Sequence, residues 1–427
     1  MVDDTYRILG EIDSPDSVGI RGENLAETGA GVGVEGRTSS PEGYGLATPD
    51  DAKVGGRLTA GAVDAARVDS VQFASAHDGE TGAAKINSAL DALPARGGTV
   101  FVGSNGPDTV DGEASVWEVD RVIQVDSGQW LVGAGPGWHE DQTGTALRAS
   151  AQNGEMVQFS GTYLTGLTDM RLDGNGTETV CARLGDGRQN DFVLRNAMVH
   201  GATNHGVTLE GQRNFWLDQC WIEQCGTGFE NAGIATLGGE IEDTIWITDC
   251  LFFDNYHDIL FDHAATQTVT QVWISNLRTD GPHHHAIVQR PDAAIRDVWV
   301  VRPHIDGAGK ETDSAWDAMN FTGSVERLEV QSPVVLGRTR TRHALYREQG
   351  QWTDCVVENL QATGLTDAPM AGVVGSANST RSLVNGWGTN AGDPATTGDW
   401  NGAGREGVNV FDTTNEVKYA YVAGAGR

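Results

Sequence analysis

Asn214-Phe-Trp-Leu-Asp-Gln, Thr244-Ile-Trp-Ile-Thr-Asp, Gln271-Val-Trp-Ile-Ser-Asn and Asp297-Val-Trp-Val-Val-Arg are four copies of one short phrase. A variant precedes them, Asp191-Phe-Val-Leu-Arg-Asn, and two follow, Arg327-Leu-Glu-Val-Gln-Ser and Asp354-Cys-Val-Val-Glu-Asn. The centres are Val193, Trp216, Trp246, Trp273, Trp299, Glu329 and Val356, so successive spacings are 23, 30, 27, 26, 30 and 27 residues. A repeat of this length built on short β-branched strands marks a solenoid, whose coils bury their apolar faces only by stacking.

Alternation along each phrase assigns its faces. Phe192, Phe215, Ile245, Val272, Val298, Leu328 and Cys355 form one apolar column; Leu194, Leu217, Ile247, Ile274, Val300, Val330 and Val357 form another. Both are expected inside. Trp216, Trp246, Trp273 and Trp299 lie between them and are expected to face outward, as an apolar stripe roughly 15 Å long. Three occupants fit such a stripe: another part of the same chain, a second subunit, or sugar rings. Asn196, Gln219, Asp249, Asn276 and Asn359, three residues past the centres, suit a polar ladder at a bend.

Composition agrees with an all-β chain: 427 residues with 57 glycines, 12 tryptophans and few long apolar helical patterns. Net charge is −30, with Lys53, Lys85, Lys310 and Lys418 as the four lysines. Such a surface repels nucleic acid and anionic membranes, and it suits a high-salt, halophilic setting where counterions screen self-repulsion. No apolar run reaches the roughly 18 residues of a membrane span, and Met1-Val-Asp-Asp-Thr-Tyr does not read as a signal sequence. The five cysteines form no close metal or redox motif; Cys220 and Cys250 occupy equivalent places in neighbouring coils, as free thiols or as an inter-rung disulfide.

Residues 1–66 differ in texture, with the glycine phrases Val18-Gly-Ile-Arg-Gly, Val32-Gly-Val-Glu-Gly, Tyr44-Gly-Leu-Ala and Val54-Gly-Gly. They resemble the glycine-punctuated repeats near the N-termini of phage tail fibres and spikes, where three chains wind together. Next, Asp78-Gly-Glu-Thr-Gly leads into a helix near 82–93 with the stripe Ala83, Ile86, Leu90 and Leu93, ended by Pro94. Gly97-Gly98-Thr-Val-Phe-Val and Val125-Asp-Ser-Gly-Gln-Trp-Leu-Val-Gly-Ala-Gly-Pro-Gly follow. This run, residues 73–137, resembles the opening of the pectate-lyase-3-like family of right-handed parallel β-helices, which includes enzymes and non-enzymatic spikes. Where that family has a tight turn, this chain carries Ser104-Asn-Gly-Pro-Asp and a longer loop, so the first rung is modified. The resemblance implies a right-handed parallel β-helix over 67–378, a glycine-rich attachment segment over 1–66 and a C-terminal cap or tail over 379–427.

A second strand column reads Val207, Phe229, Ile259, Ile287, Met319 and Leu345, expected inside. Before it stand Gly206, Gly228, Asp258, Ala286, Ala318 and Ala344, expected outward, and then His205, Thr227, His257, His285, Asp317 and His343. Stacked histidines suit structural packing, ligand or metal contact, or acid–base work; His257 and His285 are the ligand candidates. Asp280 and Asp306 fall at equivalent positions on adjacent coils, the spacing a pair of glycosidase carboxylates needs, with Glu223 two coils earlier. Asp254, Asp258 and Asp262 form another acidic group. Arg302-Pro303 is the nearest phrase to a pectate-lyase signature. Together with the fibre-like segment, the resemblance implies a virion surface spike or fibre of a haloarchaeal type of virus. It would be a homotrimer, attached to other virion proteins through residues 1–66 and contacting host-surface glycans through the tryptophans, His257 and His285. The alternative is a polysaccharide lyase or glycoside hydrolase using Asp280 and Asp306. A divalent cation, calcium or magnesium, is compatible with either.

Overall fold

The computed structural model describes residues 70–371, with breaks at 138–143, 161–163, 186–189, 211–212, 238–241, 265, 313–314 and 348. Beyond 371 it describes the strand backbones Ser379–Thr380, Leu383–Val384, Trp387–Asn390, Asn409–Asp412 and Val417–Ala420. Residues 1–69, and with them the glycine phrases, lie outside the described residues.

The chain is a parallel β-solenoid of about ten coils. Each coil adds one strand to each of three sheets. The first sheet contains the tryptophan phrases, which pair in parallel and in register: Trp216 with Trp246, Trp246 with Trp273 and Trp273 with Trp299. The second sheet has eleven strands and the third ten. The interior is one continuous apolar core, and both flanking columns read from the sequence lie in it, each member no more than 2% exposed. Ahead of the coils, helix α1 (Gly82–Asp91) buries Ala83, Ile86, Ala89 and Leu90. Thr81 caps it, its hydroxyl accepting from the Ala84 amide at 3.3 Å.

The phrase begins with a residue in the left-handed region, at little cost where it is Asp or Asn and at a higher one at Thr244, Gln271 and Arg327. Asp191, Asn214, Thr244, Gln271, Asp297, Arg327 and Asp354 all have φ between 55° and 70°. There the strand bulges, and alternation restarts with the next residue inward. Asp169, Asn196, Gln219, Asp249, Asn276 and Asn359 repeat the device at the following corner, with φ of 43–60°. Asn and Asp tolerate this conformation because their short polar side chains bond locally. The expected amide ladder is present: Asn276 Nδ2 donates to Asp249 Oδ1 at 2.8 Å and Asn196 Nδ2 to Asp169 Oδ1 at 2.5 Å.

The tryptophans do face outward, but they form a stack. Their ring centroids are 4.9, 5.4 and 4.8 Å apart with interplanar angles of 4°, 12° and 10°. The inner rings spend both faces on their neighbours and offer edges outward. Aromatic pairs of this kind contribute about 0.5–1.5 kcal/mol each beyond area burial. Trp246→Ala, which removes two of them, is expected to cost about 2 kcal/mol. Thermal unfolding should register a midpoint lower by a few degrees; an unchanged midpoint would show that the stack contributes nothing.

Several expectations need correction. Phe229 is not in the second interior column: it is 41% exposed on a corner, and Ile234 takes the interior place, in register between Val207 and Ile259. Ala232 replaces Thr227 in the histidine column for the same reason. Asp258, Ala286, Ala318 and Ala344 are fully buried instead of lining an outer strip, because the chain turns inward at this corner. All five cysteines are free and buried. The modified first rung is a hairpin, Asp108–Val110 paired with Glu113–Val119 through Asp111 and Gly112, both at positive φ. Parallel pairing also continues past residue 378: Ser379–Thr380 and Leu383–Val384 extend the first sheet.

Candidate functional site

The corner between the second and third sheets varies most in length. After Phe253 it takes five residues and after Asp280 six, but after Glu223 (224–231) and after Leu336 (337–344) it takes eight, and after Asp306 twelve (307–318). The corners after Glu223 and Asp306 belong to the two coils with 30-residue spacing. They carry Phe229 and Trp316 out over the third sheet and bring the rings to 5.8 Å. Arg290 ties the first corner down, its Nη2 donating to the Phe229 carbonyl at 2.6 Å and to Glu230 at 2.5 Å.

These corners wall a groove of about 320 Å³ on the outer face of the third sheet. Its floor is Val288, Asn320 and Tyr346, register neighbours on three successive rungs. Arg290, Arg342, Thr322 and His285 also line it, with Gln289, Pro291 and Ala315. Each aromatic wall is backed by a cation or an imidazole. The Arg290 guanidinium lies 4.2 Å from the Phe229 ring centre, and that of Arg342 lies 4.4 Å from Tyr346. His284 stacks on Trp316 at 3.7 Å and 15°. Asn320 is 5% exposed; its Nδ2 donates to Asp317 Oδ2 at 3.0 Å, and its Oδ1 has no protein partner. Trp316 Nε1 and Arg290 Nε are likewise buried without a partner. Aromatic rings with a few convergent polar atoms are what a small-molecule or sugar site requires.

Of the ligand candidates, His285 lines this groove and His257 does not. Both belong to a ladder that links rungs. His257 Nδ1 accepts the His285 amide at 3.2 Å and His205 Nδ1 accepts that of Ala232 at 3.2 Å, while His285 Nδ1 meets the backbone of Asp317, 2.9 Å from its carbonyl and 3.1 Å from its amide. Accepting at Nδ1 requires the neutral ring. Burial pushes His205 and His285 down to about 4 and His257 well below its usual value. Trp216, Trp246, Trp273 and Trp299 lie on the first sheet and take no part in the groove.

Asp280 and Asp306 are register partners in the outward column of the second sheet, with Glu223 two coils before Asp280. Arg338 Nη2 bonds Asp306 Oδ2, so one carboxylate is already ion-paired. Asp254, Asp258 and Asp262 do not act together. Asp254 holds His283 and Lys310, Asp258 is buried against Asn255, and Asp262 lies 3.9 Å from Arg290. Arg302, of the Arg302-Pro303 phrase, has φ 52° and serves as a corner residue in line with the amide ladder. Among the described residues, no three His, Cys, Asp or Glu side chains converge so as to hold a metal ion.

The same outward column contains a charge network that the repeat pattern did not reveal. Arg148 binds Glu113 and Asp173, each at 2.6 Å, and Asp173 Oδ1 meets His200 Nδ1 at 3.2 Å. Burial opposes charge on Asp173, but His200 and Arg148 prevail and hold its carboxyl below the usual range. The raised His200 is the other half of that exchange, its own burial outweighed by Asp173. Asp173 is 1% exposed and Arg171, which also binds Glu113, is 0% exposed. Carboxylates so covered cannot reach a polymer. The network pins the first-rung hairpin to the sheet.

No protein-family model matches the chain, and no curated protein matches it in sequence. Solved structures with a similar chain course include ORF18 of Geobacillus virus E2, at TM-score 0.44 and 12% identity over 75% of this chain and 62% of that one. The chain thus spans 62% of the viral protein's length. A DFA-IIIase from Arthrobacter chlorophenolicus A6, without its lid, gives 0.44 and 11% over 74% and 94%. The catalytic unit of a GH87 α-1,3-glucanase from Streptomyces thermodiastaticus gives 0.35 and 14% over 77% and 69%. The chemistry of the present chain is therefore read from its own residues.

Proposed function

We propose that this chain is a right-handed parallel β-helix on the surface of a virus particle, where it binds host-surface glycans through the groove of Phe229, Trp316 and Tyr346. One observation carries the reading: the two coils with 30-residue spacing are both lengthened at the same corner, and each insertion delivers an aromatic ring to one groove. Insertions that serve only to connect strands have no reason to converge. The glycine phrases of residues 18–56, similar to fibre repeats, support attachment to other virion proteins and a trimer. The stacked tryptophans, whose inner faces are occupied, serve the solenoid in this reading.

A depolymerase remains the second reading, favoured by the one-rung adjacency of Asp280 and Asp306. Incubation with soluble host-envelope polysaccharide separates the two. The binding reading expects retention of the glycan with no new reducing ends and no unsaturated uronate absorbance. Release of either product, abolished by Asp280→Asn, would replace it with the enzymatic one.

A further inference from the structure

Resting on the glycan reading, we infer that the groove selects uncharged sugars, about a disaccharide in length, laid along the solenoid axis. The direction follows from the floor. Val288, Asn320 and Tyr346 are consecutive along the axis, a span of roughly 10 Å at the usual strand spacing.

The preference for uncharged sugar follows from the pairing of every cation in the lining. Arg342 makes a two-pronged bond to Asp317, Nε to Oδ1 at 2.9 Å and Nη2 to Oδ2 at 2.8 Å, and Asp317 is 0% exposed. Arg290 holds Glu230 and faces Asp262. The imidazole backing Trp316, that of His284, meets Glu311 at 2.9 Å. A uronate or sulfate entering the groove would have to displace a carboxylate that already satisfies its arginine.

The unpartnered atoms point the same way. The Asn320 amide is fixed by its Nδ2 bond to Asp317, which leaves Oδ1 at the floor as an acceptor. An acceptor needs a hydroxyl hydrogen, which the ring hydroxyls of a sugar supply and a carboxylate or sulfate oxygen does not. Trp316 Nε1 is a donor without a hydrogen-bond partner. A hydroxyl both donates and accepts, so a polyol can satisfy both.

The test is calorimetric titration of the full chain with dextran, mannan and xylan against polygalacturonate and hyaluronan. At about 2 M NaCl the Debye length is only 2–3 Å, so general repulsion by the acidic surface is removed and a surviving preference belongs to the groove. At least one uncharged glycan is expected to bind tenfold or more tighter than either acidic polymer, with Asn320→Leu weakening it at least tenfold. Glu230→Gln, at an exposed position, should free Arg290 and raise acidic relative to uncharged binding severalfold. Equal or tighter acidic binding by the unmodified chain would overturn the selectivity and leave the glycan reading standing. No binding of any glycan would overturn the glycan reading itself, and the selectivity with it.

Discussion

Between pH 7 and pH 4 His205 and His285 are together expected to cost the solenoid about 6 kcal/mol of stability, half from each. Each ring is buried, and each sets its Nδ1 against the backbone of the next rung. Burial holds both at about 4 in the native state against 6.5 in an open chain. Below pH 6.5 the unfolded chain therefore binds protons that the native chain refuses. Stability is complete above that value and falls until pH reaches about 4. A gap of this size is worth about 3 kcal/mol per ring. His257, His263 and His284 shift in the same direction, also through burial. Asp258 acts oppositely: burial raises its carboxyl, so its penalty at neutral pH fades on acidification and trims the net loss. The thermal midpoint should drop on the order of 10 °C from pH 7 to 4 at constant salt. His205→Asn with His285→Asn removes two of the titrating rings and should make the drop several degrees smaller. An unchanged drop in the double variant would mean that the ladder is not the acid-sensitive element.

Trp316→Ala is expected to weaken glycan binding about 30-fold or more, since an aromatic anchor at the centre of a desolvated site is commonly worth 2 kcal/mol or more. The ring stands on a corner outside the solenoid core and is partly exposed, so folding should survive its loss. Its removal also strips His284 of its stacking partner and opens one wall. Phe229→Ala should act in the same direction while leaving Arg290 its bond to Glu230. By contrast, Trp273→Ala belongs to the ladder on the first sheet. It should lower the thermal midpoint with little change in affinity. The opposite pattern, affinity lost at Trp273 and kept at Trp316, would transfer the site to the tryptophan face.

The coil architecture was legible because its signals are local and repeat. Alternation put Phe215 and Leu217 inside and Trp216 outside, and a polar residue at each corner announced the left-handed bend at Asn196 or Asn276. The adjacency of Asp280 and Asp306 followed from the same counting. The groove was not legible, because it depends on the path of two loops. Counting a fixed offset from the strand placed Phe229 inside, whereas the eight-residue corner moves the interior position on to Ile234. The spacings of 30 residues after Trp216 and Trp299 were the available signal, since they mark the two coils that carry the insertions. The charge network was hidden for a related reason. Glu113 reaches Arg148 and Arg171 from a hairpin that interrupts the repeat.

The central claim is that the corner insertions build a sugar site, and a structure of the chain crystallised with a bound oligosaccharide tests it most directly. The expected result is sugar density along the axis over Val288, Asn320 and Tyr346, flanked by Phe229 and Trp316, with a hydroxyl within hydrogen-bond distance of Asn320 Oδ1. Density over the edges of Trp216–Trp299, or at Asp280 and Asp306 with the groove empty, would contradict it.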